Sequence, residues 1–395
     1  MSFDIALSGI NAVNSQLDTI SKNIANAGTY GYKASRANFS SMYAGSQATG
    51  VEVTSHTQSV DVGGGVLTTG RALDASIDGR GFFVSRDVSG ATTFSRVGIF
   101  SVNADGYLTD AMGGRVQGYA AVPNSPALGA MGDLRVPTGQ IPAQASDAVK
   151  YVGNLSADWT VPVVAPFDPG DMQSFNSSMV TPLYDSLGMQ HSLTQYFVKS
   201  GPNQVIVHYT LDGAVLGTST TIDFGPDGQI VSPLGSVPLA LGTPTGAAPL
   251  AIDLDYTGTT HFAGEAVTTA NSANGYASGT LIGVQIEEAG ALVASYSNGQ
   301  KQRIGTLALA TFPDEGSLQA ISGTRWVSTN ASGAPLYFAA GTGMAGTVNA
   351  GTLEQSNVDI TAELVTLMSA QRNYQANSKV ISTESQMIQS LMQAI

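Results

Sequence analysis

Side chains that could perform acid–base or metal chemistry are few and are scattered along the chain. The sequence has no cysteine, and its imidazoles are those of His56, His191, His208 and His261. Zinc sites on helices use paired histidines four residues apart, and metalloprotease motifs add a neighbouring glutamate. No such spacing occurs here. We therefore predict no catalytic residue, no metal ligand and no cofactor site, and so no enzyme.

Two further patterns could bind ions. Asp253 and Asp255 alternate on a β-like segment, so both face one side of a sheet where calcium is conceivable. A calcium loop also needs oxygen ligands at fixed offsets and a bidentate glutamate, which are missing. The triplet Gly63-Gly64-Gly65 is not followed by the Gly-Lys-Ser/Thr of a phosphate loop. We expect a solvated strand face and a turn, respectively.

Composition narrows the class of protein. The net charge of −13 over 395 residues argues against a nucleic-acid partner, because phosphate binding requires clustered Lys and Arg. Only 11% of residues are charged while glycine numbers 46, which is typical of β-structure with many turns. The N-terminus lacks the pattern of a secretory signal, and no stretch approaches 18 consecutive apolar residues. We expect no membrane partner, and a chain that is cytoplasmic or leaves the cell without a cleaved signal.

The two ends of the chain carry the strongest periodicity. Apolar residues recur every seven positions at Phe3, Ile10, Leu17 and Ile24, and again at Ile360, Leu367, Tyr374, Ile381, Ile388 and Ile395. A sustained seven-residue repeat keeps one stripe of an α-helix facing a partner helix. The repeats predict a helical coiled-coil layer made from both termini.

Those helices could pair only with each other or also with other subunits. An intramolecular antiparallel hairpin would bury one face of each helix. The C-terminal helix also carries Leu364, Val365, Met368, Leu391 and Met392 outside the seven-residue stripe. One partner helix cannot cover so wide an apolar surface, so subunit contacts are favoured.

The remainder of the chain has the sequence pattern of β-strands joined by turns. Short alternating runs are separated by turn signals such as Asp105-Gly106, Asp227-Gly228 and Asn298-Gly299. The predicted fold class is mainly β with the terminal helical layer, nested, with two outer all-β domains. The predicted divisions are a terminal helical domain at 1–28 and 357–395, an extended connector at 29–70, a discontinuous first β domain at 71–145 and 270–356, and an inserted outer β domain at 146–269.

Specific residues near both ends resemble a known family. The segment Asn23-Ile24-Ala25-Asn26-Ala27-Gly28-Thr29-Tyr30-Gly31-Tyr32-Lys33 is similar to the N-terminal signature of bacterial flagellar rod and hook axial proteins. The family's C-terminal signature is resembled by Gln355-Ser356-Asn357-Val358-Asp359, followed by Glu363-Leu364-Val365 and Gln371-Arg372-Asn373-Tyr374-Gln375-Ala376-Asn377. The likeness continues through residues 70–83 and 276–312. The residues carried over are Asn23, Asn26, Thr29, Gly31, Tyr32, Lys33, Asn357, Asp359, Gln371, Arg372, Tyr374 and Gln375.

The resemblance implies a structural subunit rather than a catalyst. It implies a hollow, bendable helical tube of identical subunits, with the terminal helices lining an export channel, located in the extracellular hook between rod and filament. It also implies export through the flagellar type III apparatus and contacts with hook cap, distal rod and hook–filament junction proteins, without a cofactor. Length and the block at 150–269 favour a hook subunit over a distal rod subunit. A secreted β-rich adhesin is a more remote alternative.

Overall fold

The structure, a computed structural model, describes residues 2–44, 47–122, 125 and 127–393. Within those ranges it contains two α-helices, α1 at Ser2–Ala25 and α2 at Ile360–Gln393. Asp359 caps α2, because its Oδ1 accepts hydrogen bonds from the backbone N–H groups of Thr361 and Ala362 at 2.8 and 3.2 Å. Asp4 lies in the first turn of α1, where the helix dipole favours an acidic side chain.

The two helices pack against each other in antiparallel directions. Asn23, near the end of α1, contacts Glu363 near the start of α2, whereas Gly9 faces Asn377 further along. Between these points lies a small buried cluster of Val13, Ile20 and Ala370, flanked by partly buried Leu17, Ile24 and Leu367. The two predicted terminal helices are thus present and in contact.

Among the described residues before 139, ten strands follow α1. They are β1 Ser35–Ala44, β2 Gln47–Gln58, β3 Val66–Thr68, β4 Ala75–Asp78, β5 Phe82–Arg86, β6 Thr92–Ser95, β7 Phe100–Val102, β8 Leu108–Asp110, β9 Arg115–Ala121 and β10 Leu128–Asp133. β1 and β2 form a long antiparallel ribbon within the expected connector at 29–70. Ser8 of α1 accepts a hydrogen bond from the N–H of Val51 at 3.2 Å. Neighbouring Gly50 has φ of 147°, and a Cβ there would lie 2.2 Å from the Ser8 hydroxyl.

Nine strands occupy the middle of the chain. They are β11 Ala148–Asn154, β12 Ser177–Tyr184, β13 Gln190–Gly201, β14 Gln204–Leu211, β15 Ala214–Phe224, β16 Ile230–Ser232, β17 Val237–Gly242, β18 Leu250–Asp255 and β19 Val267–Ala273. They build two sheets, ordered β12-β13-β14-β15-β16 and β17-β18-β11-β19. The inward residues of both sheets form one core that includes Leu193, Phe197, Val207, Ile252 and Tyr256.

Eight further strands precede α2. They are β20 Leu281–Ile286, β21 Ala291–Tyr296, β22 Lys301–Thr311, β23 Gln319–Ile321, β24 Arg325–Val327, β25 Leu336–Ala339, β26 Thr347–Ala350 and β27 Thr352–Glu354. The main sheet runs β20-β21-β22-β9-β5-β6-β24-β23, so late strands pair with early ones. β26 pairs with β4 and β27 pairs with β3 in the same way. An aromatic core of Phe82, Phe94, Phe312 and Trp326 packs on this sheet.

The chain forms two compact units. Unit 1 comprises Met1–Thr138, Gly283–Ala294 and Lys301–Ile395, and unit 2 comprises Gly139–Ile282 and Ser295–Gln300. The finer four-part division expected from the sequence stays a prediction. The mainly β content with a helix at each end agrees with the predicted fold class.

Candidate assembly interface

The residues of the N-terminal signature lie where α1 ends and the chain turns toward β1. Asn23 is 1% exposed, yet both polar atoms of its amide are satisfied. Its Nδ2 donates to the carbonyl of Ser35 and to Glu363 Oε1, each at 2.8 Å. Its Oδ1 accepts from the Ser35 N–H at 2.9 Å and from the Tyr32 hydroxyl at 3.2 Å. Asn23 therefore joins α1, β1 and the first turn of α2 at one point.

The turn after α1 is held by its own signature residues. Asn26 Nδ2 donates to the carbonyl of Lys22 at 2.8 Å, and the Thr29 hydroxyl donates to Asn26 Oδ1 at 3.2 Å. Gly31 has φ of 65°, a conformation that favours glycine, and its N–H donates to the carbonyl of Glu354 at 2.8 Å. Burial raises the pKa of the Tyr32 phenol, so its proton is retained for the bond to Asn23.

Asn357 fastens the start of the C-terminal segment to the same region. Its Oδ1 accepts from the Ala34 N–H at 2.7 Å. Its Nδ2 donates to the carbonyls of Ser59 and Val62 at 2.9 and 3.0 Å. Together with the Asp359 cap, this residue sets where α2 begins. The signature residues from Asn23 to Lys33 thus meet Asn357 and Asp359 at the base of the helix pair, and we name this set the terminal clamp.

Beneath the terminal clamp lies a buried cluster of three charged residues. Lys33 Nζ is 2.7 Å from Glu354 Oε1 and 2.6 Å from the carbonyl of Val62. Arg96 Nη1 lies 3.4 Å from Glu354 Oε2, and its Nη2 donates to the carbonyl of Gly79 at 2.8 Å. Burial lowers the pKa of both cations, although Glu354 opposes the shift. Glu354 therefore contacts both buried cations, while the charge of Glu315 also favours charged Arg96 and that of Asp61 favours charged Lys33.

The sequence analysis identified Lys33, and Glu363 within the C-terminal signature, but missed Glu354 and Arg96. A weak signal was present, because Glu354 is the charged residue of the strand segment Thr352-Leu353-Glu354 that leads into the C-terminal signature. A lone acid at the end of an apolar strand often has a buried partner. The partner itself lies 321 residues away in the chain and has no counterpart in local periodicity.

The predicted interface residues divide into two groups. Ile10, Leu17, Ile24, Leu367 and Ile381 are partly buried, and three of them flank the cluster between the helices. The others described are exposed to between 39% and 54%, namely Phe3, Ile360, Leu364, Tyr374 and Ile388. Ile395 lies outside the described residues. The C-terminal signature residues Gln371, Arg372 and Gln375 are exposed as well.

The line of α2 that lies closest to α1 is offset from the predicted stripe. It runs through Glu363, Ala370 and Asn377, which are also seven residues apart. Ala370 is completely buried, and a Cβ on Gly9 would lie 2.9 Å from Asn377 Nδ2. Small residues thus allow the helices to approach closely. The larger apolar residues of the predicted stripe lie beside this line.

Two of the four histidine rings pack against aromatic side chains. His208 stacks on Phe167 at 4.4 Å, and His261 is buried with its ring against Phe224. Within the described ranges, no group of three His, Cys, Asp or Glu side chains could hold a metal ion. For the same part of the chain, neither α1 nor α2 has the apolar length needed to cross a bilayer.

Four stretches of the chain match family models. Residues 3–33 match the flagella basal body rod protein, and residues 76–149 match the flagellar hook protein FlgE/F/G D1 domain. Residues 154–276 match the flagellar basal body protein FlaE D2 domain, and residues 349–394 match the C-terminal part of the flagellar basal body rod FlgEFG protein. The matched stretches include both helices and the terminal clamp.

Relatives that align with nearly the full length of the chain are named flagellar hook protein FlgE. The chain is 35% identical over 401 residues to the flagellar hook protein FlgE of Escherichia coli (strain K12), covering 99% of each chain. It is 36% identical over 402 residues to that of Salmonella typhimurium, again covering 99% of each, and 32% identical over 396 residues to that of Brucella suis, covering 98% of this chain and 96% of the relative.

A solved structure shares the fold. The flagellar hook protein FlgE2 of Helicobacter pylori superposes with a TM-score of 0.53 at 13% identity, covering 72% of this chain and 99% of that one. Taken with the full-length sequence likeness, the terminal clamp and the paired terminal helices lead to one assignment. This chain belongs to the family of flagellar hook proteins FlgE.

Proposed function

We propose that this chain is a structural subunit of the bacterial flagellar hook that assembles with copies of itself into a hollow, bendable helical tube. The tube would couple the rod and motor to the filament. Full-length relatives named as flagellar hook proteins support this role. The role requires no catalysis and no cofactor, since the work of such a subunit lies in its contacts.

One observation carries the assembly proposal: α2 extends beyond α1 and leaves apolar residues without cover. α1 has 24 residues and α2 has 34. The antiparallel pairing of Asn23 with Glu363 and of Gly9 with Asn377 brings the start of α1 level with about residue 384 of α2. The last nine described residues of α2 therefore extend roughly 14 Å past α1.

This free end of α2 is apolar on one side. Met387, Ile388, Leu391 and Met392 are exposed to 64%, 54%, 65% and 74%. Their spacing of one and four residues places them on one helix face. We name this set the α2 overhang. Apolar surface of this kind on a soluble protein marks an interaction site, and identical subunits in a helical array supply a partner to every copy.

The same proposal assigns roles to the predicted domains. Residues 1–28 and 357–395 would form a coiled-coil-like inner layer around the channel, with Phe3, Ile10, Leu17, Ile24, Ile360, Leu364, Tyr374 and the other interface residues between subunits. Residues 71–145 with 270–356, and then 146–269, would lie progressively outward, joined by 29–70. Bending requires outer contacts that exchange easily, and the sparse charge of these domains suits wet, weak contacts.

The proposed partners follow from the position of a hook. They are further copies of this chain, the hook cap, the distal rod, the hook–filament junction proteins and the flagellar type III export apparatus. The expected location is extracellular, in the flagellar hook. Neither nucleic acid nor membrane is an expected ligand.

The α2 overhang provides the test. A variant with Met387, Ile388, Leu391 and Met392 changed to Gln should fold as the parent does, judged by circular dichroism, but should form no tubes under negative-stain electron microscopy. A matched control changes the exposed polar residues Gln386, Gln389, Ser390 and Gln393 to Ala, and should polymerise normally. Tubes of normal length from the first variant would overturn the proposal.

A distal rod subunit is the second candidate. Both terminal stretches match families named for the rod, which is the observation that favours it. The same micrographs separate the two, because a hook subunit should form curved tubes and a rod subunit straight ones.

A further inference from the structure

In unit 2, His191 lies between two carboxylates that belong to different turns. Its Nδ1 is 2.7 Å from Asp212 Oδ2, and its Nε2 is 3.4 Å from Asp185 Oδ2. Asp185 lies in the turn between β12 and β13, and Asp212 begins the turn between β14 and β15. Carboxylate oxygens only accept hydrogen bonds, so both ring nitrogens must donate. Only the imidazolium form has a proton on each nitrogen.

Each carboxylate also accepts backbone hydrogen bonds, Asp185 from its own turn and Asp212 from the neighbouring strand β13. Asp185 Oδ1 accepts from the N–H groups of Leu187 and Met189 at 2.9 and 2.8 Å. Asp212 Oδ1 accepts from the Ser192 N–H at 2.8 Å. Asp212 itself has φ of 51°, a conformation that non-glycine residues adopt only at a cost. Asp212 N–H also donates to the Ser192 carbonyl at 3.0 Å, so the protonated ring adds a side-chain link between the two turns to this backbone contact at one end of the five-stranded sheet.

No other charged group shares this environment within the described ranges. A cleft beside the ring is lined, apart from these three residues, by uncharged ones, namely Met189, Leu211, Leu241, Thr243, Pro244 and Thr245. Ser186, in the same turn as Asp185, accepts a hydrogen bond from the Ala248 N–H at 2.9 Å. The charge state of the cluster thus depends on His191, Asp185 and Asp212 alone.

We propose that His191 is a pH-sensitive latch that ties the turn at 185–189 to the turn at 212–213 while its ring is protonated. Loss of the proton removes one of the two donors and leaves a lone pair facing a carboxylate. The end of the sheet then loosens, and the exposed side chains Leu187 and Met189 gain freedom to move. Unit 2 is otherwise unchanged, because its core lies between the sheets.

The direction of the pH dependence follows from the pKa values. The hydrogen bond to Asp212 raises the pKa of His191, while burial opposes this. Burial raises the pKa of Asp185 and Asp212, but backbone N–H donors and His191 outweigh it and lower both. A group with a raised folded-state pKa stabilises fully below its unfolded pKa of about 6.5 and loses that contribution as the pH rises through the folded value. The latch is therefore closed below about pH 6.5 and opens as the pH rises through the raised pKa of His191.

The test follows the His191 ring and its turns in the full-length protein. Nuclear magnetic resonance of the histidine ring carbons should show His191 titrating above the ordinary histidine pKa. Hydrogen exchange at the amides of Leu187 and Met189, corrected for the intrinsic rate, should accelerate severalfold as the pH passes that value. An ordinary His191 pKa, or unchanged protection of both amides across the titration, would overturn the proposal.

Two variants complete the test. His191→Gln should remove the pH dependence of exchange at both turns, whereas His56→Gln, at an exposed position of β2, should leave it intact. Asp212→Asn keeps an oxygen for the Ser192 N–H and removes the charge beside the ring. It should shift the His191 titration toward the ordinary pKa, and an unshifted titration would contradict the latch even if His191→Gln fails to fold.

Discussion

Lys33 and Glu354 are separated by 321 residues in the chain, yet their charged atoms lie 2.7 Å apart with 1% and 2% of their side chains exposed. Arg96 shares the same carboxylate from its other side at 3.4 Å. The N–H of Gly64 also donates to Glu354 Oε1 at 3.0 Å. Glu354 is therefore the centre of the buried cluster, because it contacts both Lys33 and Arg96. Neither cation holds this central position.

Replacing Glu354 by Gln should be strongly destabilising. The change leaves Lys33 and Arg96 buried without the carboxylate that contacts them, and removal of one partner from a buried pair costs about 3–5 kcal/mol. Urea unfolding of unit 1 measures this free energy. Trp326 belongs to unit 1, so its fluorescence in a Trp159→Phe background reports that unit.

Glu287→Gln is the matched control for that measurement. Glu287 lies 3.7 Å from Lys301, but both side chains are substantially exposed. Exposed pairs contribute about 0–1 kcal/mol, so the free energy of unfolding should hardly change. Equal losses of unfolding free energy for Glu354→Gln and Glu287→Gln would show that burial of the charge cluster does not contribute to stability.

Lys33→Met should lower the free energy of unfolding clearly less than Glu354→Gln does. Glu354 keeps Arg96 and the Gly64 N–H, and the carbonyl of Val62 still accepts from Asn357. Burial lowers the pKa of Lys33, which means that its charged form is disfavoured where it lies. We expect a loss below about 2 kcal/mol in the same urea experiment, since Arg96 still contacts the Glu354 carboxylate and no buried charge is left unpaired. A loss as large as that of Glu354→Gln would contradict this order.

The contact between Gly9 and Asn377 should couple the two helices. Gly9→Ala places a methyl group 2.9 Å from Asn377 Nδ2, so that side chain must move. The same change favours the helix by about 1 kcal/mol through propensity alone. In a double-mutant cycle, Gly9→Ala should be more favourable in an Asn377→Ala background, and the difference is the coupling energy. Circular dichroism at 222 nm during thermal unfolding reports helix stability; additive effects would mean that the helices do not approach closely here.

Most of unit 2 should be dispensable for tube formation. Residues 142–278 can be replaced by a short Gly/Ser linker, because the Ile141 N–H donates to the carbonyl of Gly279 at 2.9 Å and the chain ends lie close together. We expect tubes with altered curvature or stiffness in electron micrographs, since the proposed helical contacts are untouched. Failure to form any tube would show that unit 2 takes part in assembly itself.

A polar chain inside the core of unit 2 gives a separate prediction. The buried Tyr256 hydroxyl donates to Gln195 Oε1 at 2.8 Å and lies 3.0 Å from the Tyr209 hydroxyl. Tyr256→Phe leaves a buried acceptor unsatisfied and should lower the stability of unit 2 by about 1–3 kcal/mol. The fluorescence of Trp159 in a Trp326→Phe background measures this. Tyr184→Phe, at a partly exposed position of β12, is the control and should change stability by less than about 0.5 kcal/mol.

The pKa of Tyr256 also predicts how unit 2 responds to high pH. Burial raises its pKa well above 10, with Tyr209 acting in the same direction. A group with a raised folded-state pKa stabilises the fold below its unfolded pKa of about 10. That contribution is lost as the pH rises through the folded-state pKa. Tyrosinate absorbance should therefore show this phenol ionising only when unit 2 unfolds. A phenol that ionises while Trp159 fluorescence stays native would contradict its burial.

Local pattern was enough to predict the helices and several turns. Seven-residue repeats are short-range properties, so the helices at Ser2–Ala25 and Ile360–Gln393 follow from them directly. The same holds for Asp105-Gly106, where Gly106 has φ of 82° in the turn between β7 and β8. Positive φ is a property of one residue, and glycine adopts it without cost.

Those local patterns could not predict contacts between residues that are far apart in the chain. The stripe of large apolar residues indicated the helical period, but Gly9 and Ala370 show that small residues determine which face approaches most closely. The pairing of Asn23 with Glu363 depends on where two chain ends meet after the intervening strands have folded. Neither composition nor periodicity specifies that meeting point.

The terminal clamp also imposes an order of events on the chain. A polypeptide that emerges N-terminus first, from a ribosome or from a narrow conduit, presents Asn23 and Lys33 long before Glu354, Asn357 and Glu363. Before those last residues arrive, Asn23 has Ser35 and Tyr32 as partners and Lys33 has the carbonyl of Val62, but the Lys33 ammonium lacks its contacting carboxylate. Unit 1 therefore stays incomplete until the C-terminal segment is present, and a truncation before Glu354 removes the carboxylate that contacts both buried cations.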